Sequence, residues 1–172
     1  MILVGLTGGI GSGKSTVSQL LSERGAIIVD ADAVARELQQ PGTEVLRLMA
    51  EAFGQEIYNA DGSLNRQAVA DKVFGNAEAL KTLNGIVHPA IGKEMNRRIE
   101  EQRSTNNVVV LDIPLLVENP REGLCGVIVV DVPVDIAVDR LVGSRGMTTA
   151  DAEARVSRQA SREDRRSIAD KV

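Results

Sequence analysis

Ile2-Leu3-Val4-Gly5-Leu6-Thr7-Gly8-Gly9-Ile10-Gly11-Ser12-Gly13-Lys14-Ser15-Thr16 opens the chain with an apolar run, a glycine loop and the first turn of a helical pattern. Residues 8–15 fit G-x-x-x-x-G-K-[ST] completely. In such a loop the glycines let backbone N–H groups approach phosphate oxygens with no Cβ in the way. The lysine reaches the β- and γ-phosphates, and the hydroxyl that follows is placed to ligate Mg²⁺. The pattern alone has chance matches, so its flanks decide. Residues 2–6 read as a buried strand, and Val17, Leu20, Leu21 and Arg24 keep helical spacing until Gly25 supplies a C-terminal stop. Strand, loop and helix together imply a site for a nucleoside triphosphate and a doubly wound α/β fold. No N-K-x-D guanine motif occurs, which counts against a GTPase switch, and the candidate phosphate-site residues are Gly8, Gly11, Ser12, Gly13, Lys14, Ser15 and Thr16.

Composition narrows the class. At 172 residues, 43% of them hydrophobic, the chain suits one compact domain with a small inserted lobe. Aromatic residues make up 2%, too few for stacking platforms on single-stranded nucleic acid, and the net charge of −4 offers no general surface for a phosphate backbone. A lone Cys125 forms no internal disulfide and reads as a quiet, half-buried thiol. No signal peptide or bilayer-length apolar run is found, so a cytoplasmic protein is expected, a monomer or weak oligomer without nucleic-acid or membrane partners.

Residues 26–29, 108–111 and 127–130 repeat the apolar character of 2–6 without polar alternation, as central strands of a parallel sheet do. Far more chain separates the second run from the third than one crossover helix needs. Within it Val45, Met49 and Phe53 share a helical face after the N-cap candidate Thr43. Val69 and Val73 follow an Asp61-Gly62 turn, and Ile91, Met95 and Ile99 follow Pro89, which suits a first helical turn. This stretch reads as an inserted helical subdomain. After the fourth run, 134–142 reads as a helix with Ile136 inward. Thr148-Thr149-Ala150-Asp151 then opens another on which Arg155, Arg158, Arg162 and Arg165 share a face, and 167–172 begins a fifth strand.

Several residues could carry chemistry. Asp32, in Asp30-Ala31-Asp32 past the second strand, is placed either as a general base or as the N-cap of the helix that Val34, Ala35 and Leu38 announce. Asp112 ends the third apolar run and resembles the acid that holds Mg²⁺ directly or through water; a strand-end turn residue is the alternative. Arg140, Arg145, Arg158 and Arg162 suggest a lid closing over phosphates, against a solvated helix face paired with Glu163 and Asp164. His88 has no metal-ligand partners in sequence, and a structural role is the commoner fate of a lone histidine.

Taken with these residues, GLTGGIGSGKST at the start, DADAVAR at 30–36, HPAI at 88–91, DIPLLVE at 112–118 and QASREDR at 159–165 followed by IADKV resemble the dephospho-coenzyme A kinase family along nearly the whole chain. The resemblance implies transfer of the ATP γ-phosphoryl group, with Mg²⁺, to the ribose 3′-hydroxyl of dephospho-coenzyme A, the last step of coenzyme A synthesis. It implies a P-loop kinase core of five parallel strands over 1–36 and 107–172, a lid near 140–160, and a helical acceptor-binding insertion over 37–106. It makes Asp32 the preferred base, with Lys14 and Arg140 beside it in catalysis, and Arg140 and Arg145 on the nucleotide. His88, Leu115 and Leu116 match the acceptor side, and Ser15 and Asp112 the metal side. Family members usually continue past IADKV with a loop that touches the adenine and a final helix. Neither is in this sequence, which leaves an apolar sheet face to be expected uncovered. The alternatives are another small-molecule kinase of the same fold, or a catalytically idle nucleotide-binding module.

Overall fold

Residues 1–172 are all described by the computed structural model, in two compact units, Met1–Asp30 with Glu101–Val172, and Ala31–Glu100. In the first unit β1 (Ile2–Gly8), β2 (Ile27–Asp30), β3 (Val108–Asp112) and β4 (Gly126–Val130) form a parallel sheet in the order β2-β3-β1-β4. Successive residues of a strand face opposite sides, so the consecutive burial of Val109, Val110 and Leu111 shows β3 covered on both faces. Leu6 and Thr7 do the same in β1. That is why these runs carry no polar alternation.

Helix α1 (Lys14–Glu23) returns the chain from β1 toward β2. It ends because Gly25, at φ +90°, turns left-handed: its N–H donates to Ser22 and that of Ala26 to Leu21, closing the last carbonyls. After β4, α6 (Val134–Arg145) buries Ala137, Val138 and Leu141, the last two against Ala152 of α7 (Thr149–Ser157). Ile136 is 40% exposed, not inward as the sequence suggested, because the buried stripe runs through 137, 138 and 141.

Three further expectations are corrected. The arginine-bearing helix is two helices, α7 and α8 (Arg162–Ser167), broken at 158–161, where Ser161 starts α8 in a reciprocal capping box with Asp164. The fifth strand is a single bridge between Ile128 and Lys171. The Ala169 N–H still closes α8 onto Arg166; past it the Asp170 and Lys171 N–H groups donate to Val127 O, and Lys171 O accepts from Val129 N–H. The Cys125 thiol is exposed, not half-buried.

In the second unit α2 (Ala31–Leu38), α3 (Glu44–Phe53), α4 (Arg66–Val73) and α5 (Ala77–Glu100) pack around Val45, Leu46, Met49, Phe53, Ile57, Val69 and Val87. Thr43 caps α3 by accepting from Leu46 N–H, and Asn65 caps α4 by accepting from Ala68 N–H. A turn at Asp61–Ser63 joins the bridge pair Tyr58 and Leu64. Pro89 lies inside α5 instead of opening a helix. Apolar residues on both sides of it, Leu83, Ile86, Val87 and Ile91, pack into the same core, so the packed face carries the helix past the missing N–H. No helix of the chain is long and apolar enough to cross a membrane.

Candidate active site

The loop between β1 and α1 takes the shape its glycines permit. Gly11 and Gly13 adopt φ +78° and +92°, the left-handed region that a side chain disfavours. At Gly11 a Cβ would also stand 2.7 Å from the carbonyl oxygen of Ala137, so α6 packs directly on the loop backbone. The Ser12 N–H closes a turn onto Gly9 O at 3.0 Å. No hydrogen bond of the protein engages the N–H groups of Gly11 and Gly13, and those of Lys14 and Ser15 stand at the head of α1, where a helix supplies no acceptor. Together with the positive end of the helix dipole, these donors make an anion cradle. The Ser12 hydroxyl turns inward beside Gly8, buried and without a hydrogen-bond partner, so Ser12 faces the cradle only through its backbone.

Charge is arranged on both sides of the loop. Lys14 Nζ is ion-paired with Asp112 at the end of β3, whose side chain is 4% exposed. Burial pushes the Asp112 carboxyl above the ordinary carboxylate range, Lys14 pulls it back, and Asp30, its register partner on β2, pushes it up again. On the other side Arg140 Nη1 donates to the carbonyl oxygens of Gly11 at 3.3 Å and Ser12 at 3.1 Å. Arg145, five residues on, points about 140° away around the helix and is exposed at its end.

The structure thus gathers Gly8, Gly11, Ser12, Gly13, Lys14, Ser15, Thr16, Asp112 and Arg140 around one loop, but not Arg145. Leu115 and Leu116 part company: Leu115 is 41% exposed, whereas Leu116 is buried with a methyl 3.0 Å from where a Gly5 Cβ would sit. Leu116 is therefore a packing residue of the sheet. Asp32 and His88 belong to the helical unit, both exposed. Asp32 is the second residue of α2, inside its first turn, so the N-cap alternative is removed. His88 lies on α5 just before Pro89.

Sequence reasoning missed the residues that hold the α7–α8 junction. Gln159 Oε1 accepts from Ile10 N–H at 2.8 Å, and Glu118 Oε1 accepts from Ala160 N–H at 2.9 Å. Asp131, just beyond β4, accepts from Arg162 at 2.6 Å and Arg166 at 3.0 Å. Their spacing of 31 to 149 residues leaves no local pattern; the local signal that could have marked the junction is the capping-box spacing Ser161-x-x-Asp164.

The comparisons agree in kind. A family model described as CoaE, dephospho-CoA kinase, matches residues 2–172. A dephospho-CoA kinase from Streptomyces avermitilis is 49% identical over 173 residues, which is 100% of this chain and 84% of that protein. One from Mycolicibacterium paratuberculosis is 51% identical over 99% of this chain, but the chain spans 42% of that relative's length. A solved structure of a Thermus thermophilus protein superposes with a TM-score of 0.82 at 33% identity, covering 98% of this chain and 85% of that one.

Proposed function

We propose that this chain, which belongs to the dephospho-CoA kinase family, transfers the γ-phosphoryl group of ATP to the ribose 3′-hydroxyl of dephospho-CoA, giving coenzyme A and ADP. The observation that carries the donor half is the loop itself: left-handed Gly11 and Gly13, unengaged N–H groups, and Lys14 and Arg140 on its two sides. Phosphoryl transfer asks a protein mainly for positioning and charge neutralisation, and this arrangement supplies both. Family membership supports the acceptor.

In the reaction the bond between O3′ and Pγ forms as that between Pγ and the β,γ-bridging oxygen breaks, and ADP leaves. The hydroxyl proton passes to a carboxylate, for which Asp32 is our assignment. Lys14 sets its ammonium against the β- and γ-phosphates, and Arg140 fixes the loop carbonyls so that the N–H groups point outward. We assign Ser15 and Asp112 to Mg²⁺. Their oxygens are the hard donors this ion takes, and a buried carboxylate with Asp30 alongside favours a cation. When bound, Mg²⁺ neutralises charge on the phosphate oxygens. His88 and Leu115 are assigned to the acceptor.

The test is a Mg²⁺–ATP assay in which coenzyme A is separated chromatographically from dephospho-CoA, with a nucleoside panel as competing acceptors. Formation of coenzyme A alone is expected; phosphorylation of nucleosides in its place would overturn the acceptor.

A further inference from the structure

Gly9 occupies a position that G-x-x-x-x-G-K-[ST] leaves free, and its φ is not left-handed, so neither motif nor backbone demands glycine there. What stands in the way of a side chain is Arg165. A Cβ on Gly9 would lie 2.9 Å from Arg165 Nη2 and 3.0 Å from Cζ, so the guanidinium is seated flat against the loop backbone. The three arginines of this part of α8 differ in one respect. Arg162 and Arg166 share the carboxylate of Asp131, whereas Arg165 has no carboxylate partner and spends one N–H on the carbonyl oxygen of Ala160 at 2.5 Å. Gln159, in the break between α7 and α8, grips the adjoining residue of the loop through Ile10 N–H. Both side chains border a cleft of about 460 Å³ between the start of α6 and the α7–α8 junction.

A half-buried, unneutralised cation seated against the backbone of an anion cradle is an arrangement that an anion completes. We propose that Arg165 is a phosphate-contacting residue of the donor site, binding the β,γ-end of a nucleoside triphosphate, and that Gln159 positions the loop edge on which it acts. Gly9 is glycine so that the guanidinium reaches the phosphates. This rests on the donor half of the reading above and is independent of the acceptor.

The experiment is direct calorimetric titration of the full chain with ATP, and with AMP at high concentration, across Arg165→Ala, Arg165→Lys, Gly9→Ala and the double variant Gly9→Ala/Arg165→Ala. Losing a charge-assisted hydrogen bond to phosphate weakens ATP binding by about 10- to 100-fold. AMP, which lacks the contacted phosphates, keeps its affinity. Arg165→Lys recovers part of the loss. Gly9→Ala weakens ATP by displacing a flexible side chain without touching the core, and adds nothing once Arg165 is gone. Wild-type affinity in Arg165→Ala, equal losses for ATP and AMP, or additive losses in the double variant would each overturn the proposal. Should Arg165→Ala fail to fold by circular dichroism, Arg165→Lys and Gly9→Ala decide on the same criteria. Dephospho-CoA turnover, run in parallel, separates the two readings. Arg165-dependent ATP binding in a chain that makes no coenzyme A supports Arg165 and removes only the acceptor.

Discussion

The ammonium of Lys14, first residue of α1, is paired with the carboxylate of Asp112, last residue of β3. The pair joins the phosphate loop to the neighbouring strand across the sheet edge where ligands of doubly wound folds bind. Asp112 is 2% exposed, and its burial outweighs the help from Lys14, so its carboxyl sits above its ordinary 3.8. A charged group held where charge is disfavoured is a functional placement that stability alone would not select.

A pH dependence follows. Because the folded chain holds this proton more tightly than the unfolded one, the contribution of Asp112 to stability is fully present below 3.8 and is lost as pH rises through the raised folded value. Asp112→Asn removes that dependence. In thermal melts across the acid range, the wild type should carry a falling component with rising pH that the variant lacks. Superimposable profiles would show that Asp112 is not perturbed. The variant should also lose phosphoryl transfer, since Asn supplies no charge for Lys14 or a cation.

Asp131 behaves in the opposite sense. Hydrogen bonds from Arg162 first, then Arg166, hold its carboxyl below 3.8 against its burial, so its stabilisation is present above that value and lost as pH falls through the lowered one. Asp131→Asn should cost about 1–3 kcal/mol in urea unfolding, less than the ~3–5 of a fully buried pair. The reduction reflects Arg162 and Arg166, which are 33% and 50% exposed. A loss below a few tenths of a kcal/mol would show that α8 is not held there.

How far the sequence could be read depends on how local each determinant is. The β1–loop–α1 unit is specified within about twenty residues by buried alternation-free strand, glycine spacing and helical period, and it was legible. So were α3, through Thr43 and the Val45, Met49, Phe53 stripe, and the parallel sheet itself. The break between α7 and α8 was not, because arginines at 155, 158, 162 and 165 keep helical spacing straight across it. The break is made by remote partners, Ile10 for Gln159 and Glu118 for Ala160. Pro89 misled for a related reason: local chemistry says helix start, and packing of Val87 and Ile91 on one core overrides it. Burial of Leu116 under Gly5 was likewise invisible, since adjacent leucines carry no sign of which one points inward.

Gly11 tests the loop's backbone. Alanine there meets both a left-handed φ of +78° and the Ala137 carbonyl at 2.7 Å. The neighbour is helix backbone and cannot swing away, so Gly11→Ala should destabilise the first unit by about 1–3 kcal/mol and abolish detectable ATP binding. Denaturant melts with and without ATP check both. Unchanged stability with unchanged binding would mean that the loop does not hold this conformation.

Asp32 and Lys14 can be separated by which step each loses. Asp32 is exposed in the first turn of α2, where a carboxylate favours the helix dipole by only about 0.3–1 kcal/mol. Asn keeps the size and shape of the side chain, so the Asp32→Asn chain should still fold, which thermal melts check. As the assigned base, it should lower kcat by about 10²–10⁴ while ATP affinity stays at the wild-type level. Lys14→Ala should do the reverse in binding, weakening ATP as well as turnover, because its ammonium belongs to the donor's phosphates in the ground state and the transition state alike. Steady-state kinetics beside ATP titrations resolve the two patterns. An Asp32→Asn chain that turns over at the wild-type rate would return the proton to solvent and leave positioning by the loop as the main source of catalysis.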